Sequence, residues 1–218
     1  MDKNNYWRTF IGDEEMCRLR KLADFLFSES DKRTAELLEK EKEFDQIEEG
    51  GDEWCGMTKK EAFGDYLGYE FHDSEQTDQI LFRSLVMSIF AFIERDLKGL
   101  CNQLKETLGE KFSVDDMRGG SGLKASLTYL DKVLDGGFVK DDEDLKHCNK
   151  LRNALMHGDL KRSISEQKKM VNQFKNTSFT IVFHNDELQI EKETISELLI
   201  FADRVYSNIS HNWISKDF

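Results

Sequence analysis

The chain has 218 residues, of which 39% are apolar and 34% are charged, with a formal net charge of −12. This length can bury a core without disulfides or a metal, sixteen Phe residues argue against disorder, and the absence of proline permits long helices. No apolar run approaches the length of a bilayer crossing and the start of the sequence is polar, so we expect a cytoplasmic protein with no membrane partner.

Residues 1–75 are predicted to form an acidic, helical N-terminal extension that holds 21 acidic and 11 basic side chains. Asp13 can cap a helix whose apolar residues recur at helical spacing as far as Phe27. A second, highly charged helix is predicted over about residues 32–48. Residues 50–76 are expected to hold a short helix and a connection.

Residues 76–218 are predicted to form the main domain, an all-α helical bundle with one small β-hairpin late in the chain. Thr77 or Asp78 can cap its longest helix, in which apolar residues recur over about 27 residues. We expect this helix to be the central packing element.

Shorter elements follow, each marked by a capping residue or a glycine. Ser113 and Asp116 resemble a capping box, and Thr194 can cap the last helix. Helices are predicted at about 123–134, from 141–144 to His157, and at about 166–175 with Ser163 or Ser165 as the cap. Strands are predicted at 179–183 and 188–190, on either side of an Asn185-Asp186 turn.

A basic segment lies within the main domain. The overall charge at first disfavours a polyanionic partner, but residues 146–175 hold eight cations against only Asp159 and Glu166, a local net charge of +6. Because salt screens charges beyond about 10 Å, a polyanion responds to this local field. A solvated helix face is the alternative interpretation.

Several kinds of site are excluded. The cysteines include no C-x-x-C pair; they are Cys17, Cys55, Cys101 and Cys148. Residues 119–124 are glycine-rich and end in Lys124, but they lack the spacing of a P-loop and no strand precedes them. His147 and His157 lie nearly three helical turns apart, too far to share a metal. We therefore expect neither a metal nor a cofactor.

One candidate motif remains, the string Leu-Arg-Asn-Ala-Leu-Met-His-Gly at residues 151–158. Its Arg152, Asn153 and His157 resemble the signature of HEPN domains, in which an Arg, commonly followed by Asn, Asp or His, precedes a His by a few residues. The context is similar too, with a long helix before the motif helix and a packing helix at the end. The resemblance covers roughly residues 76–215, and it implies a HEPN-like fold for the main domain.

Many HEPN domains are metal-independent ribonucleases, and the resemblance implies this activity here. The 2′-hydroxyl of RNA attacks the adjacent phosphorus and leaves a 2′,3′-cyclic phosphate, which requires a base, an acid and a cation. His157 is expected to be the acid or base, since histidine exchanges a proton near neutral pH. Arg152 offers a planar fork for phosphate oxygens, and Asn153 can orient the phosphate or its neighbours.

Two further groups of residues complete the predicted site. Glu94 is a secondary candidate, because family members often carry a charged residue on an earlier helix; a structural ion pair is the alternative. The cations of the basic segment are predicted to bind the RNA backbone. Those assigned to RNA binding are Lys146, Lys150, Lys161, Arg162, Lys168 and Lys169.

Helix geometry points to a twofold assembly. Residues five apart on a helix differ by about 140° in direction, so Arg152 and His157 of one chain do not point at the same phosphate. Two motif helices at a twofold interface would bring both pairs into one cleft and supply separate acid and base histidines. HEPN ribonucleases are understood to work in this way, so we expect a homodimer.

The resemblance also implies a role in toxin–antitoxin or antiphage defence, with a protein antitoxin or regulatory protein as a candidate partner. Some HEPN toxins carry, three residues after the His, a Tyr that receives AMP; Leu160 stands at that position here, which puts this route of neutralisation in doubt. Two alternatives stay open. One is a non-catalytic HEPN module that binds RNA or a protein, and the other is a helical interaction protein in which the motif occurs by chance.

Overall fold

The computed structural model describes residues 13–47, 56–117, 122–135, 143–158, 160–175 and 177–214. The elements are α1 (Asp13–Asp45), α2 (Lys59–Leu108), a 3-10 turn (Val114–Asp116), α3 (Leu123–Leu134), α4 (Glu143–Met156), α5 (Ile164–Phe174), β1 (Val182–His184), β2 (Glu187–Gln189) and α6 (Lys192–Ile214). The predicted all-α class with a small late hairpin is confirmed. Cys55 and the predicted positions 119–121 and 141–142 lie outside the described residues.

The described chain divides into two compact units. One unit is Lys21–Phe82, and the other holds the described residues before Lys21 and after Phe82. The sequence interpretation placed a boundary between residues 75 and 76, which lies inside α2. Neither unit boundary coincides with the end of a helix, because α1 and α2 each contribute residues to both units.

The first described helix is continuous, so the prediction of two separate helices in this segment is wrong. α1 runs without a break from Asp13 to Asp45. Its sequence contains neither glycine nor proline and is rich in Leu, Glu, Lys and Arg, which are strong helix formers. Propensity therefore maintains the helix across the region between residues 27 and 32, where the apolar spacing is interrupted.

The helix α2 also begins earlier than predicted. The prediction of a short helix and a connection at 50–76 is therefore wrong over the described residues. Thr58 and Glu61 form a capping box at its start: the Thr58 N–H donates to Glu61 Oε2 at 2.8 Å, and the Glu61 N–H donates to Thr58 Oγ1 at 3.2 Å. Thr77 and Asp78 lie inside the helix, so neither caps it.

Within the unit Lys21–Phe82, α1 and α2 are joined by polar pairs as antiparallel neighbours. The Asp78 carboxylate accepts hydrogen bonds from Ser30 Oγ at 2.7 Å and from the Arg33 guanidinium. Further along, Lys40 Nζ lies 3.0 Å from Glu70 Oε2. Asp78 therefore binds the neighbouring helix instead of capping its own.

The other unit is built on the C-terminal half of α2, as predicted for the central helix. Fully buried residues recur there at helical spacing; they are Val86, Ile89, Ile93, Leu97 and Leu104. The helix α3 packs against α4, α6 and the 3-10 turn. The predicted α3 is confirmed over 123–134, and Ser113 and Asp116 form the predicted capping box, which begins only the three-residue 3-10 turn.

The hairpin is shorter than predicted. β1 pairs with β2 in antiparallel register, Phe183 opposite Leu188. Asn185 and Asp186 form the turn with φ values of 47° and 66°, and this left-handed conformation is the one that two-residue hairpin turns favour. The predicted turn is confirmed, whereas the predicted strand spans of 179–183 and 188–190 are wrong at their ends.

Thr180 lies outside the ladder because side chains of α6 take its backbone groups. Its N–H donates to Glu197 Oε2 at 2.6 Å, and its carbonyl accepts from Thr194 Oγ1 at 2.8 Å. Thr194 was predicted to cap the last helix, but α6 already begins at Lys192. That prediction is wrong, since the Thr194 hydroxyl instead ties α6 to the segment before the hairpin.

The ends of α4 and α5 agree closely with the glycine and serine signals. Gly158, with φ of 64°, follows α4 and adopts the left-handed conformation of a helix terminator. Ser163 caps α5, and its N–H donates to Glu166 Oε2 at 3.0 Å; of the two predicted caps, Ser163 is the one observed.

None of the helices in the described ranges combines the length and apolar character that a membrane crossing needs.

Candidate functional site

The helix α4 carries the three motif residues at its C-terminal end. Its buried face, with Leu151 and Ala154 in the core, fixes the rotation of the helix. Arg152 is consequently half-buried, whereas Asn153 and His157 are exposed. His157 lies just beyond the last helical residue, and its backbone N–H still donates to the Asn153 backbone carbonyl at 3.1 Å.

Arg152 forms a bidentate pair with Glu94 of α2. Arg152 Nε lies 2.7 Å from Glu94 Oε1, and Arg152 Nη2 donates to Glu94 Oε2 at 3.0 Å. The two side chains are 24% and 19% exposed, so the pair is partly shielded from water. This ion pair joins two of the four predicted catalytic residues and holds the guanidinium in one orientation.

The Glu94 carboxylate lies against the backbone of Gly122, immediately before α3. A Cβ atom at Gly122 would lie 2.5 Å from Glu94 Oε1, which no ordinary contact allows. The φ of 64° at Gly122 also favours glycine. A glycine at this position therefore lets the loop pack directly on the carboxylate that holds Arg152.

Asn153 connects the ion pair to a neighbouring cavity. Its Oδ1 accepts a hydrogen bond from Arg152 Nη1 at 3.2 Å. Asn153 also lines a cavity of about 340 Å³ between α4 and α5, together with His157. The complete lining is Lys150, Asn153, Ala154, His157, Arg162, Glu166, Lys169, Met170 and Gln173.

Three of the six predicted RNA-binding residues line this cavity, namely Lys150, Arg162 and Lys169. The other three, Lys146, Lys161 and Lys168, are not among the described residues that line it. Lys146 forms an ion pair with Glu143, and Lys161 pairs through its backbone with Glu187. The basic segment is therefore divided into cavity and surface positions.

Arg152 is not among the described residues that line the cavity. Its guanidinium lies on Glu94, while His157 of the same chain lies at the cavity between α4 and α5. Within one chain the two side chains thus have different surroundings. Asn153 links these surroundings, because it accepts a hydrogen bond from Arg152 and lines the cavity together with His157. The exposed imidazole can transfer a proton, and the nearby cations can hold an anion.

His147 has a structural environment. It is 3% exposed, its Nδ1 donates to the Glu143 carbonyl, and its ring packs edge-on against Phe174 with 4.6 Å between centroids. This contact joins α4 to α5 beside the cavity. Among the residues that the structure describes, no group of His, Cys, Asp and Glu side chains is arranged to hold a metal ion.

Sequence reasoning missed Met170, Gln173 and the role of Gly122. The first two were detectable, because positions 166, 169, 170 and 173 follow the same i, i+3, i+4, i+7 spacing as positions 150, 153, 154 and 157. Two facing helical stripes with this spacing can line one groove. The contact of Gly122 with Glu94 joins positions 28 residues apart (122 minus 94), and no local pattern indicates it.

Comparisons with family models, with curated proteins and with solved structures found no match for this chain.

Proposed function

We propose that the protein is a cytoplasmic, metal-independent endoribonuclease of the HEPN type that acts as a homodimer. The observation that carries the proposal is the position of Asn153, which contacts Arg152 and lines the cationic cavity at which His157 lies. An arginine, an amide and an exposed histidine thus follow one another along the end of one helix, and the amide and the histidine line a cavity with groups suited to phosphate.

In this mechanism, one His157 of the dimer takes the proton from the 2′-hydroxyl of RNA. The O2′–P bond forms, the P–O5′ bond breaks, and the other His157 gives a proton to the departing O5′. The products are a 2′,3′-cyclic phosphate and a 5′-hydroxyl. Arg152 stabilises the charge that builds up on the phosphoryl oxygens, and Glu94 holds the guanidinium in place.

The direct test is RNA cleavage in EDTA by the wild type and by His157→Ala. We expect cleavage by the wild type with cyclic phosphate ends, identified by mass spectrometry, and a loss of at least about a hundredfold in the variant. Circular dichroism confirms that the variant is folded. Light scattering tests the dimer, since a monomer that cleaves RNA at full rate contradicts it.

A toxin or antiphage role follows the same proposal and requires a partner that restrains the nuclease. A protein antitoxin or regulatory protein is the expected partner. The test is expression in a bacterial host: growth arrest by the wild type but not by His157→Ala supports the role, and equal growth argues against it.

One observation favours a second candidate, a non-catalytic HEPN module that binds RNA or a protein. Arg152 is engaged by both oxygens of Glu94, so its guanidinium already has a counter-charge without any phosphate. In that case the cleavage assay shows no product, while RNA binding that weakens as salt rises persists.

A further inference from the structure

The cavity between α4 and α5 differs from the surrounding basic surface in having two facing walls. One wall is the stripe of positions 150, 153, 154 and 157, and the other is the stripe of positions 166, 169, 170 and 173. The contact of His147 with Phe174 holds the two helices together near one end. A groove with such walls can contact a ligand from two sides, which a single helix face cannot.

The charges that line this cavity favour an anion. Lys150, Arg162 and Lys169 contribute three positive charges, and Glu166 is the one carboxylate among the lining residues. Glu166 Oε2 already accepts hydrogen bonds from the N–H and the Oγ of Ser163, at 3.0 and 2.6 Å. Glu166 thus caps α5 but keeps its negative charge, so three cations and one carboxylate give the lining residues a net charge of +2.

The neutral polar groups of the cavity also favour an acceptor-rich ligand. Gln173 Oε1 accepts from Lys150 Nζ at 3.0 Å, and Asn153 Oδ1 accepts from Arg152. Because both amide oxygens are occupied, the group that each amide can offer to a ligand is its NH2. Phosphate oxygens accept hydrogen bonds and carry negative charge, so they match this set of donors.

The cavity also has an apolar side and a limited volume. Ala154 and Met170 supply carbon atoms beside the cations, and a Met side chain adapts well to a flat ring or a sugar. The volume of about 340 Å³ lies near the lower end of ligand pockets, which span about 300–1,000 Å³. A single nucleotide has a suitable size and combines an anionic phosphate with a base that can pack on apolar side chains.

We propose that this cavity binds a single nucleotide unit of the RNA strand. The phosphate of that nucleotide contacts Lys150 and Lys169, and its base or ribose packs on Met170. This nucleotide is next in the RNA strand to the phosphate at which His157 transfers a proton during cleavage. The identity of the ligand as RNA rests on the proposed function, whereas occupation of the cavity by a nucleotide does not require cleavage.

The test measures binding of a dye-labelled oligodeoxynucleotide by fluorescence anisotropy, since a strand without 2′-hydroxyl groups cannot be cleaved by the proposed mechanism. Lys150→Gln and Lys169→Gln are compared with Lys146→Gln and Lys168→Gln. Lys146 and Lys168 are exposed on the same two helices but do not line the cavity, so they separate binding in the cavity from binding along the whole basic segment. Lys132→Gln, at an exposed position of α3 outside the basic segment, is the control for these four variants, because it loses the same charge.

We expect each cavity variant to weaken binding about tenfold and to reduce the slope of log K against log salt by about 0.7. Lys132→Gln should change the affinity by less than about twofold, and Lys146→Gln and Lys168→Gln should weaken binding less than the cavity variants do. Equal losses in all four variants, or no loss in any, would overturn the proposal in favour of diffuse binding to the basic segment.

Met170→Ala separates a nucleotide from a bare phosphate. It should weaken oligonucleotide binding but leave the binding of inorganic phosphate, measured by calorimetry, unchanged. An unchanged oligonucleotide affinity overturns the nucleotide assignment. The cleavage assay tests the proposed function independently. If the cavity variants bind more weakly but the wild type does not cleave RNA, the proposed enzyme activity is wrong and the nucleotide site is retained. If the wild type cleaves RNA but the cavity variants bind normally, only the nucleotide site is wrong.

Discussion

The Arg152 guanidinium and the Glu94 carboxylate meet through two contacts, Nε to Oε1 at 2.7 Å and Nη2 to Oε2 at 3.0 Å. This geometry uses the planar fork of arginine, which lysine lacks. The pair joins α4 to the central helix α2, so the orientation of the guanidinium is set by the core and not by the loop after α4.

Arg152→Lys should therefore reduce RNA cleavage although it retains the charge. An ammonium cannot make both contacts with Glu94 and also contact a phosphate, so we expect the single-turnover rate to fall about a hundredfold. Arg95→Lys is the matched control, because Arg95 is 68% exposed and lies on the same helix as Glu94. A full rate in Arg152→Lys would exclude a role for the guanidinium fork.

Gly122→Ala should destabilise the protein through two effects, the positive φ and the collision with Glu94. Gly109→Ala isolates the first effect, since Gly109 has a similar φ of 67° but no atom within 4 Å of an added Cβ. We expect urea unfolding to show a loss of about 1 kcal/mol for Gly109→Ala and at least about 2 kcal/mol for Gly122→Ala.

The destabilisation by Gly122→Ala beyond that of Gly109→Ala should disappear when Glu94 is replaced by alanine. A double-mutant cycle between Gly122→Ala and Glu94→Ala measures this coupling directly. A coupling energy near zero would show that the carboxylate moves aside without cost.

The surroundings of the Asp144 carboxyl predict how the stability of the protein depends on pH. Burial raises the pKa of its carboxyl, but hydrogen bonds from Ser178 and the ion pair with Arg204 outweigh this effect and hold the pKa below its usual range. The folded-state pKa is thus lower than the unfolded value of about 3.9. The stabilisation is complete above that pH and is lost as the pH falls through the folded-state pKa.

Asp144→Asn should consequently be less stable than the wild type by about 2 kcal/mol at neutral pH. The difference should shrink below about pH 4, as measured by urea unfolding from neutral to acidic pH. A difference that stays constant to pH 2 would contradict the assignment.

Thr58→Ala tests the start of α2. Because Thr58 and Glu61 cap each other, the substitution should cost about 1 kcal/mol in thermal or urea unfolding. Thr77→Ala is the control, since Thr77 lies inside the helix and caps nothing. Equal effects at the two positions would argue against a single helix through residue 77.

Apolar spacing and glycine placement predicted the short elements of the chain well. The span of α3 and the left-handed Gly158 shortly after α4 follow from local signals, and both are observed. The start of α2 was also signalled, by the Thr58-x-x-Glu61 pattern, but Asp78 offered a competing cap. Asp78 instead binds Ser30 and Arg33 of α1, a tertiary contact that sequence spacing does not contain.

The candidate site was only partly predictable. The motif placed Arg152, Asn153 and His157 on one helix end, because they lie close together in the chain. The cavity needed the relative rotation of α4 and α5, which depends on the packing of His147 against Phe174. For the same reason, the sequence could not separate Lys169, which lines the cavity, from its neighbour Lys168.

Glu166 has two roles, because its carboxylate caps the first turn of α5 and the residue also lines the cavity between α4 and α5. Removing its negative charge to attract anions more strongly would also fray the helix that forms one side of that space. A substitution that tightens anion binding is therefore expected at a neutral lining position, because Lys150, Arg162 and Lys169 are already cationic and Glu166 is needed to cap α5.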